Sequence, residues 1–338
     1  MTLLFEERMR TSDSATGLAS YEPERRRELI DAAIAATTSR RRRHSRARVL
    51  LAACAALVAV GLGYQSVTAS IGTARAADVL SRAAIHASDP PAKPGQYWEI
   101  TRIGTSLYGD TDDRLFLVRN EHIDYVAVDG RRPSWFVRGG AGTIRQLAGT
   151  AASGPVRWAG RNAWTSNLSP EQKPAWWGEP SPSWFASLPR DTAALRVRLY
   201  ADTKGHGSNP DDEAFVYVAD VLRSGVVPAD LRAALYRVLE TIPGTTVTEQ
   251  HVTMEDGRSG VAIGRNDIFG SHNELVIDPE SGQVIGERSF MRLIPLIGER
   301  IALSTGVQRR LVDSVPPDVQ RTASRQTCKV VNGEVECD

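Results

Sequence analysis

The chain carries six histidines, His44, His86, His122, His206, His251 and His272, and no two of them lie four residues apart. A zinc site on one helix face needs H-x-x-x-H or H-E-x-x-H, so no metal is expected. No G-x-S-x-G turn and no glycine loop suited to a phosphate occurs. Nothing pairs a nucleophile with a base, and the expectation is a protein that is not an enzyme and holds no cofactor. The run GHGSNPDDE at 205–213 has the residue types of a metal or catalytic loop. It also has those of a helix start: Ser or Asn as cap, proline at the first position, acids in the first turn. Capping already explains Ser208, Asn209, Pro210, Asp211 and Asp212. The DPESG sequence at 278–282 lacks the further acids a calcium loop requires and fits a hairpin turn.

Two constellations remain. All seven tryptophans precede residue 185, and Trp176, Trp177 and Trp184 with Phe185 lie among prolines. They form the candidate surface for an apolar ligand, since stiff loops present aromatic faces; the competing role is to cover the open side of a sheet as core. The second is Cys328 and Cys337, which flank Asn332-Gly333. That dipeptide is the strongest signal for a two-residue type I′ hairpin. Folding there pairs Val331 with Glu334, Val330 with Val335, Lys329 with Glu336, and the two cysteines with each other. The cysteines fall at a non-hydrogen-bonded pair with Cα atoms about 4.5 Å apart, within the range of a disulfide. Closing so short a loop adds ~2–3 kcal/mol on the chain-entropy view. A reduced dithiol for metal or redox use is disfavoured by the spacing.

The elements that must position these residues begin at a membrane. Between residues 49 and 74 no side chain is charged, and VLLAACAALVAVGLGY opens the stretch. Some 20 residues to about Ala69 span roughly 30 Å as a helix, the thickness of a bilayer core. Cys54 inside it acts as a small hydrophobe. Arg40, Arg41, Arg42, Arg43, Arg46 and Arg48 precede the span and only Arg75 follows it closely. The positive-inside rule then places the N-terminus in the cytoplasm and the bulk of the chain outside. Ala74-Arg75-Ala76 also fits a signal-peptide cleavage site, but 48 residues before the apolar run are many for a signal peptide. The expected outer location is oxidising, which suits the disulfide. A net charge of +1 with 41% hydrophobic and 24% charged residues argues against a nucleic-acid binder.

The expected organisation is a basic cytoplasmic tail at 1–48, partly disordered with a helical segment at 22–37. A transmembrane helix follows at 49–69, then a linker and short helix at 70–94. An extracytoplasmic α+β domain occupies 95–315, and a C-terminal tail with the disulfide hairpin 316–338. Alternating patterns predict strands at 96–103, 114–119, 123–128 and 134–138. A helix starting near 209 and a second at 228–242 follow. Strands return at 246–254, 260–265, 274–277 and 284–291. Strands, a helix pair, then strands predict one antiparallel sheet, with the two meanders as candidates for a single curved sheet.

The Arg40–Arg43 run, the alanine-rich span, AADVLSRAA with PGQYWEI, GHGSNPDDEAF, PADLRAALYRVLETIPG and ELVIDPESGQVIGER occur in that order over most of residues 40–290. In them the chain resembles a family of bacterial single-pass membrane proteins often encoded beside an extracytoplasmic-function sigma factor. The resemblance implies a membrane-bound accessory or regulator, with a cytoplasmic partner such as a sigma factor, and brings no catalytic residues. More loosely, the DPESG hairpin is similar to that of the curved half-barrels of lipoprotein carriers and periplasmic sigma-regulators. That likeness implies an anchored binder of an apolar ligand or lipid as the alternative.

Overall fold

The computed structural model describes residues 72–109, 114–139, 142, 144–148, 160–207, 209–267, 271–292 and 300–338. The arginine run 40–48, the apolar span 49–69, the helix at 22–37, Trp158 and Ser208 lie outside the described residues. Among those described, no helix is long and apolar enough to cross a membrane.

The first element is helix α1, residues 72–86, whose Val79, Leu80, Ala83 and Ala84 are buried along one face as their spacing predicts. Strands β1 (Tyr97–Gly109), β2 (Leu115–Ala127), β3 (Trp135–Arg138), β4 (Ile144–Ala148) and β5 (Asn162–Ser166) follow. Then come helices α2 (Pro182–Ser187), α3 (Thr192–Asp202), α4 (Pro210–Arg223) and α5 (Ala229–Thr241). A second meander contains β6 (Thr246–Thr253), β7 (Ser259–Asn266), β8 (His272–Asp278), β9 (Gln283–Arg292) and β10 (Arg300–Val312). Helix α6 (Pro317–Thr322), β11 (Ser324–Gln326), β12 (Cys328–Val331) and β13 (Glu334–Cys337) end the chain.

The two meanders join in one eleven-stranded sheet of order β11-β5-β3-β2-β1-β10-β9-β8-β7-β6, with β4 beside β2. The sheet is open, and the fold is a sheet-rich α+β class. It is mixed rather than purely antiparallel, because β11 runs parallel to β5. The expected break between 119 and 123 does not occur: β2 is one strand, paired with β1 from Tyr97↔Ala127 to Gly109↔Leu115. The strand that joins the meanders, β10, has no counterpart in the expected elements. Its RIALSTGVQRRLV is polar for a central strand. Its first part, Arg300 to Gly306, pairs with β9 and its second, Thr305 to Val312, with β1.

One face of the sheet carries the helices. Leu275, Ile277, Ile263 and Val284 pack there with Leu80 of α1, Leu195 and Leu199 of α3, Val218 and Val221 of α4, and Leu235 and Leu239 of α5. The helix pair expected from sequence is therefore α4 and α5, accompanied by α1 and α3. Helix α3 buries only Leu195 and Leu199, a stripe too narrow to stand out in the sequence. Capping of α4 follows the sequence pattern, with the Asn209 side chain accepting from the amides of Asp211 at 2.8 Å and Asp212 at 3.4 Å.

The other face holds two smaller clusters. Tyr97, Tyr125, Ala127 and Val137 pack with Val315 and with Val319 of α6. Val252, Met254, Ala262, Val276 and Ile285 pack under the β6–β7 hairpin. The tip of that hairpin reaches far across the sheet, since Glu255 accepts from Arg119 of β2 at 3.1 Å. In a flat sheet β7 and β2 stand five strand spacings apart, about 24 Å. Two side chains do not bridge that gap, so this end of the sheet bends back over the second face.

Candidate functional site

The pairing of β9 with β10 runs from Arg292↔Arg300 only as far as Gly286↔Gly306. Beyond it β10 continues to Val312 beside β1, while Gln283 and Val284 of β9 stay with β8. The two halves of the sheet therefore part in a fork. Arg258, from the β6–β7 turn, fills it: one nitrogen donates to Val307 O at 2.5 Å and Ile285 O at 3.4 Å, one carbonyl from each diverging strand. Asp256 holds this guanidinium, accepting from its Nε at 2.9 Å and also from Nη2. At the last pair before the fork, Gly286 lets Met254 and the backbone of β10 pack close, because a Cβ there would meet Met254 Cε at 2.3 Å and Thr305 O at 2.7 Å.

On the helical side, Asp89 gathers three elements. Its Oδ1 accepts from Arg232 Nη2 at 3.0 Å and Arg309 Nη2 at 2.9 Å. Its Oδ2 accepts from the amide of Ala229 at 2.8 Å, capping α5, whose own N-cap Pro228 has no side-chain hydrogen bond. An acid at a helix N-terminus also meets the positive end of the dipole. Arg232, 2% exposed, donates further to Gly282 O, Val227 O and Ser88 O, each at 2.9 Å. Arg309 lies 4.0 Å from the ring centroid of Trp98. Burial lowers the pKa of Arg309, and Asp89 opposes that.

Between these groups lies a cavity of about 190 Å³, walled by Trp98, Leu222, Val227, Val284, Val307 and Leu311 and by Arg232, Arg258 and Arg309. It is the candidate site. An apolar chamber with a few fixed polar groups is the usual form of a small-molecule site.

The tryptophans singled out by sequence lie elsewhere. Trp177, 2% exposed, donates from Nε1 to Asp202 at 2.8 Å and stacks on Tyr217 with centroids 6.1 Å apart. Trp184 meets its edge at 5.2 Å, and Phe185 is buried in the same helical core. Trp176 is 49% exposed and alone of the four presents an open face. None of the four lines the cavity. The cleft residues Asp89, Arg232, Arg258 and Arg309 were not among the sequence candidates. One signal existed: Arg232 sits within the apolar run of α5, between Leu231 and Leu235, where a charge needs buried partners.

The cysteines meet as the hairpin register predicts. Cys328 pairs with Cys337, Lys329 with Glu336, Val330 with Val335 and Val331 with Glu334. Asn332 and Gly333 have φ of 51° and 85°, the signs a type I′ turn requires. The disulfide is formed, with Cα atoms 4.0 Å apart. Asn167 seats the hairpin beside β5, exchanging hydrogen bonds with the backbone of Cys328 at 2.6 and 3.0 Å.

A second charged group lies on the helix-bearing face of β1–β3. Asp124 accepts from Arg102 at 2.5 Å and Arg138 at 2.8 Å. Burial works to raise the Asp124 pKa, and the two guanidiniums outweigh it and hold it below the usual range. Beside them His122 is pushed down to about 4 by burial and then by the Arg138 charge, against an ordinary 6.5. Between those values the unfolded chain binds the proton and the folded one does not, so stability rises with pH across the window. The fall from pH 6.5 to about 4 is expected to cost ~2–3 kcal/mol. The Asp124 contribution is lost only at more acid pH. Chemical unfolding of the wild type and His122→Gln at intervals from pH 7 to 4 checks this. Equal slopes in the two proteins would remove His122 from the account.

No protein-family model matches the chain, and no curated protein matches it. Among solved structures, a DUF1329 family protein from Desulfovibrio piger matches over 71% of this chain and 92% of that chain, at 9% identity and a TM-score of 0.20. At that score the two backbones differ too much for anything to pass from one to the other. Fold and cleft by themselves define a sheet-rich α+β protein with an arginine-walled chamber where its two half-sheets part. Among the described residues no three His, Cys, Asp or Glu side chains are grouped to hold a metal ion.

Proposed function

We propose that the chain is a membrane-anchored sensor or regulatory accessory protein. The domain bearing the cleft faces outward, and residues 1–48 contact a cytoplasmic partner, of which an extracytoplasmic-function sigma factor is the expected kind. The observation that carries this reading is the Cys328–Cys337 disulfide. Such bonds persist in oxidising compartments and are rare in the cytoplasm. The arginine run before an apolar stretch supports the same orientation. The cleft supplies a place for a signal to bind.

A second reading makes the domain an anchored carrier of an apolar ligand or lipid, with the bent sheet as a half-barrel. The apolar chamber walls favour it. A cavity of about 190 Å³ is smaller than the ~300–1,000 Å³ of most ligand pockets, so an acyl chain would have to run out of it.

The test has three parts. A reporter active only outside the membrane is expected to work when fused after residue 80 and to fail before residue 45. Mass spectrometry without reductant is expected to find Cys328 and Cys337 joined and two hydrogens lighter. Co-purification from membranes is expected to recover a cytoplasmic protein that depends on residues 1–48. Inverted reporters with two free thiols would defeat the topology; recovery that ignores residues 1–48 would defeat the regulatory role.

A further inference from the structure

We infer that the fork cleft binds a small monocarboxylate with an apolar body about the size of benzoate. The inference rests on the sensor reading only for what such binding is for.

The first observation is an unused edge of a guanidinium. Arg309 gives one Nη2 hydrogen to Asp89, and neither Nε nor Nη1 has a hydrogen-bond partner among the described residues. Because Nη2 carries a hydrogen on each of the two paired edges of the guanidinium, its other N–H and the N–H of one neighbouring nitrogen form a complete edge. Its side chain is 13% exposed and lines the cavity. The Trp98 ring, 4.0 Å away, holds the guanidinium in place. A planar N–H pair of this kind takes the two oxygens of a carboxylate side by side.

The second is charge. Arg232 and Arg309 share the single carboxylate of Asp89. Of the other arginines beside the cavity, Arg258 is matched by Asp256 and Arg310 by Glu99. One positive charge is left over. A carboxylate balances it, whereas a phosphate dianion would overshoot and leave a buried negative charge, which is costly.

The third is shape and lining. Leu222, Val227, Val284 and Leu311 form apolar walls around a volume of about 190 Å³. A dry cavity of roughly 150 Å³ accepts benzene, so a ring or branched chain fits here with its carboxylate on Arg309. Partial exclusion of water strengthens that ion pair.

The experiment is calorimetric titration of the full chain in non-ionic detergent with benzoate, phenylacetate and isovalerate. Benzyl alcohol serves as the uncharged counterpart and inorganic phosphate as the anion without an apolar body. At least one carboxylate is expected to bind saturably at one site, with benzyl alcohol and phosphate at least tenfold weaker. Arg309→Gln is expected to weaken the carboxylate tenfold or more. Leu311→Trp, which fills the chamber and leaves every charge in place, is expected to abolish binding. Should Arg309→Gln not fold, Arg309→Lys keeps the charge without the planar edge and is expected to show a smaller loss. The inference is overturned if no carboxylate binds the folded wild type or if phosphate binds as tightly. It is equally overturned if benzyl alcohol binds as tightly as the carboxylates, or if affinity is unchanged in either Leu311→Trp or the Arg309 variant that folds. The reporter fusions do not depend on any of these outcomes, so failure here leaves the topology standing.

Discussion

Arg232→Met is expected to remove about 3–5 kcal/mol of stability, the usual cost of deleting one partner from a buried ion pair. The side chain is 2% exposed and serves four acceptors: the Asp89 carboxylate and the carbonyls of Ser88, Val227 and Gly282. Methionine fills much of the same volume, so the loss comes from the stranded acceptors and not from a cavity. Asp89 keeps Arg309 and the amide of Ala229, and Gly282 O keeps the Tyr236 hydroxyl at 3.1 Å. Ser88 O keeps the Gln283 side-chain amide at 3.2 Å, and Val227 O loses its guanidinium donor. Lysine is not expected to rescue, because one ammonium does not span acceptors arranged around a planar fork. All tryptophans lie after residue 97, so their fluorescence during urea unfolding reports on this domain. A lower midpoint at unchanged slope is the expected form. A loss under about 1 kcal/mol, the size typical of an exposed pair, would mean that Arg232 does not tie α1, α5 and the β8–β9 turn together.

Gly282→Ala is expected to cost about 2–4 kcal/mol, combining a left-handed backbone with overpacking. Gly282 has φ of +63° and closes the DPESG turn. A Cβ there would stand 2.4 Å from Ala83 O and 2.7 Å from Ala87 N, both backbone atoms at the end of α1. Backbone does not swing aside as a side chain does, so the helix itself must move. Gly257→Ala provides the comparison. Its φ is +84°, yet nothing lies within 4 Å of the added Cβ. It should lose only the conformational part, about 1–2 kcal/mol. Amide exchange in 72–86 is expected to quicken in Gly282→Ala and stay unchanged in Gly257→Ala. Equal losses with equal exchange would show that the turn does not support α1.

These two sites show where local pattern suffices and where it stops. The DPESG turn was readable because Asp, Pro, Ser and Gly each favour it through their own backbone: Asp278 accepts from the amide of Glu280 at 3.0 Å and from the Ser281 hydroxyl at 2.6 Å. That the same turn would seat a helix ending nearly 200 residues earlier was not readable. The cap of α4 was legible for the same local reason. The cap of α5 was not, since its acid, Asp89, lies 140 residues away.

The Asn332-Gly333 turn sets a strand register, and the register brings Cys328 to Cys337. Helix faces such as Val79, Leu80, Ala83 and Ala84 follow from spacing. Short-range chemistry determined these, because each depends on residues within about ten positions. Tertiary structure alone decided that β10 runs between the two meanders and that β9 and β10 part beyond Gly286 and Gly306. A polar strand such as RIALSTGVQRRLV is held by hydrogen bonds to two neighbours, and the sequence of one strand does not name its neighbours. The cleft follows from that placement: Trp98, Arg232, Arg258 and Arg309 come from four separate elements and meet only because the sheet forks between them.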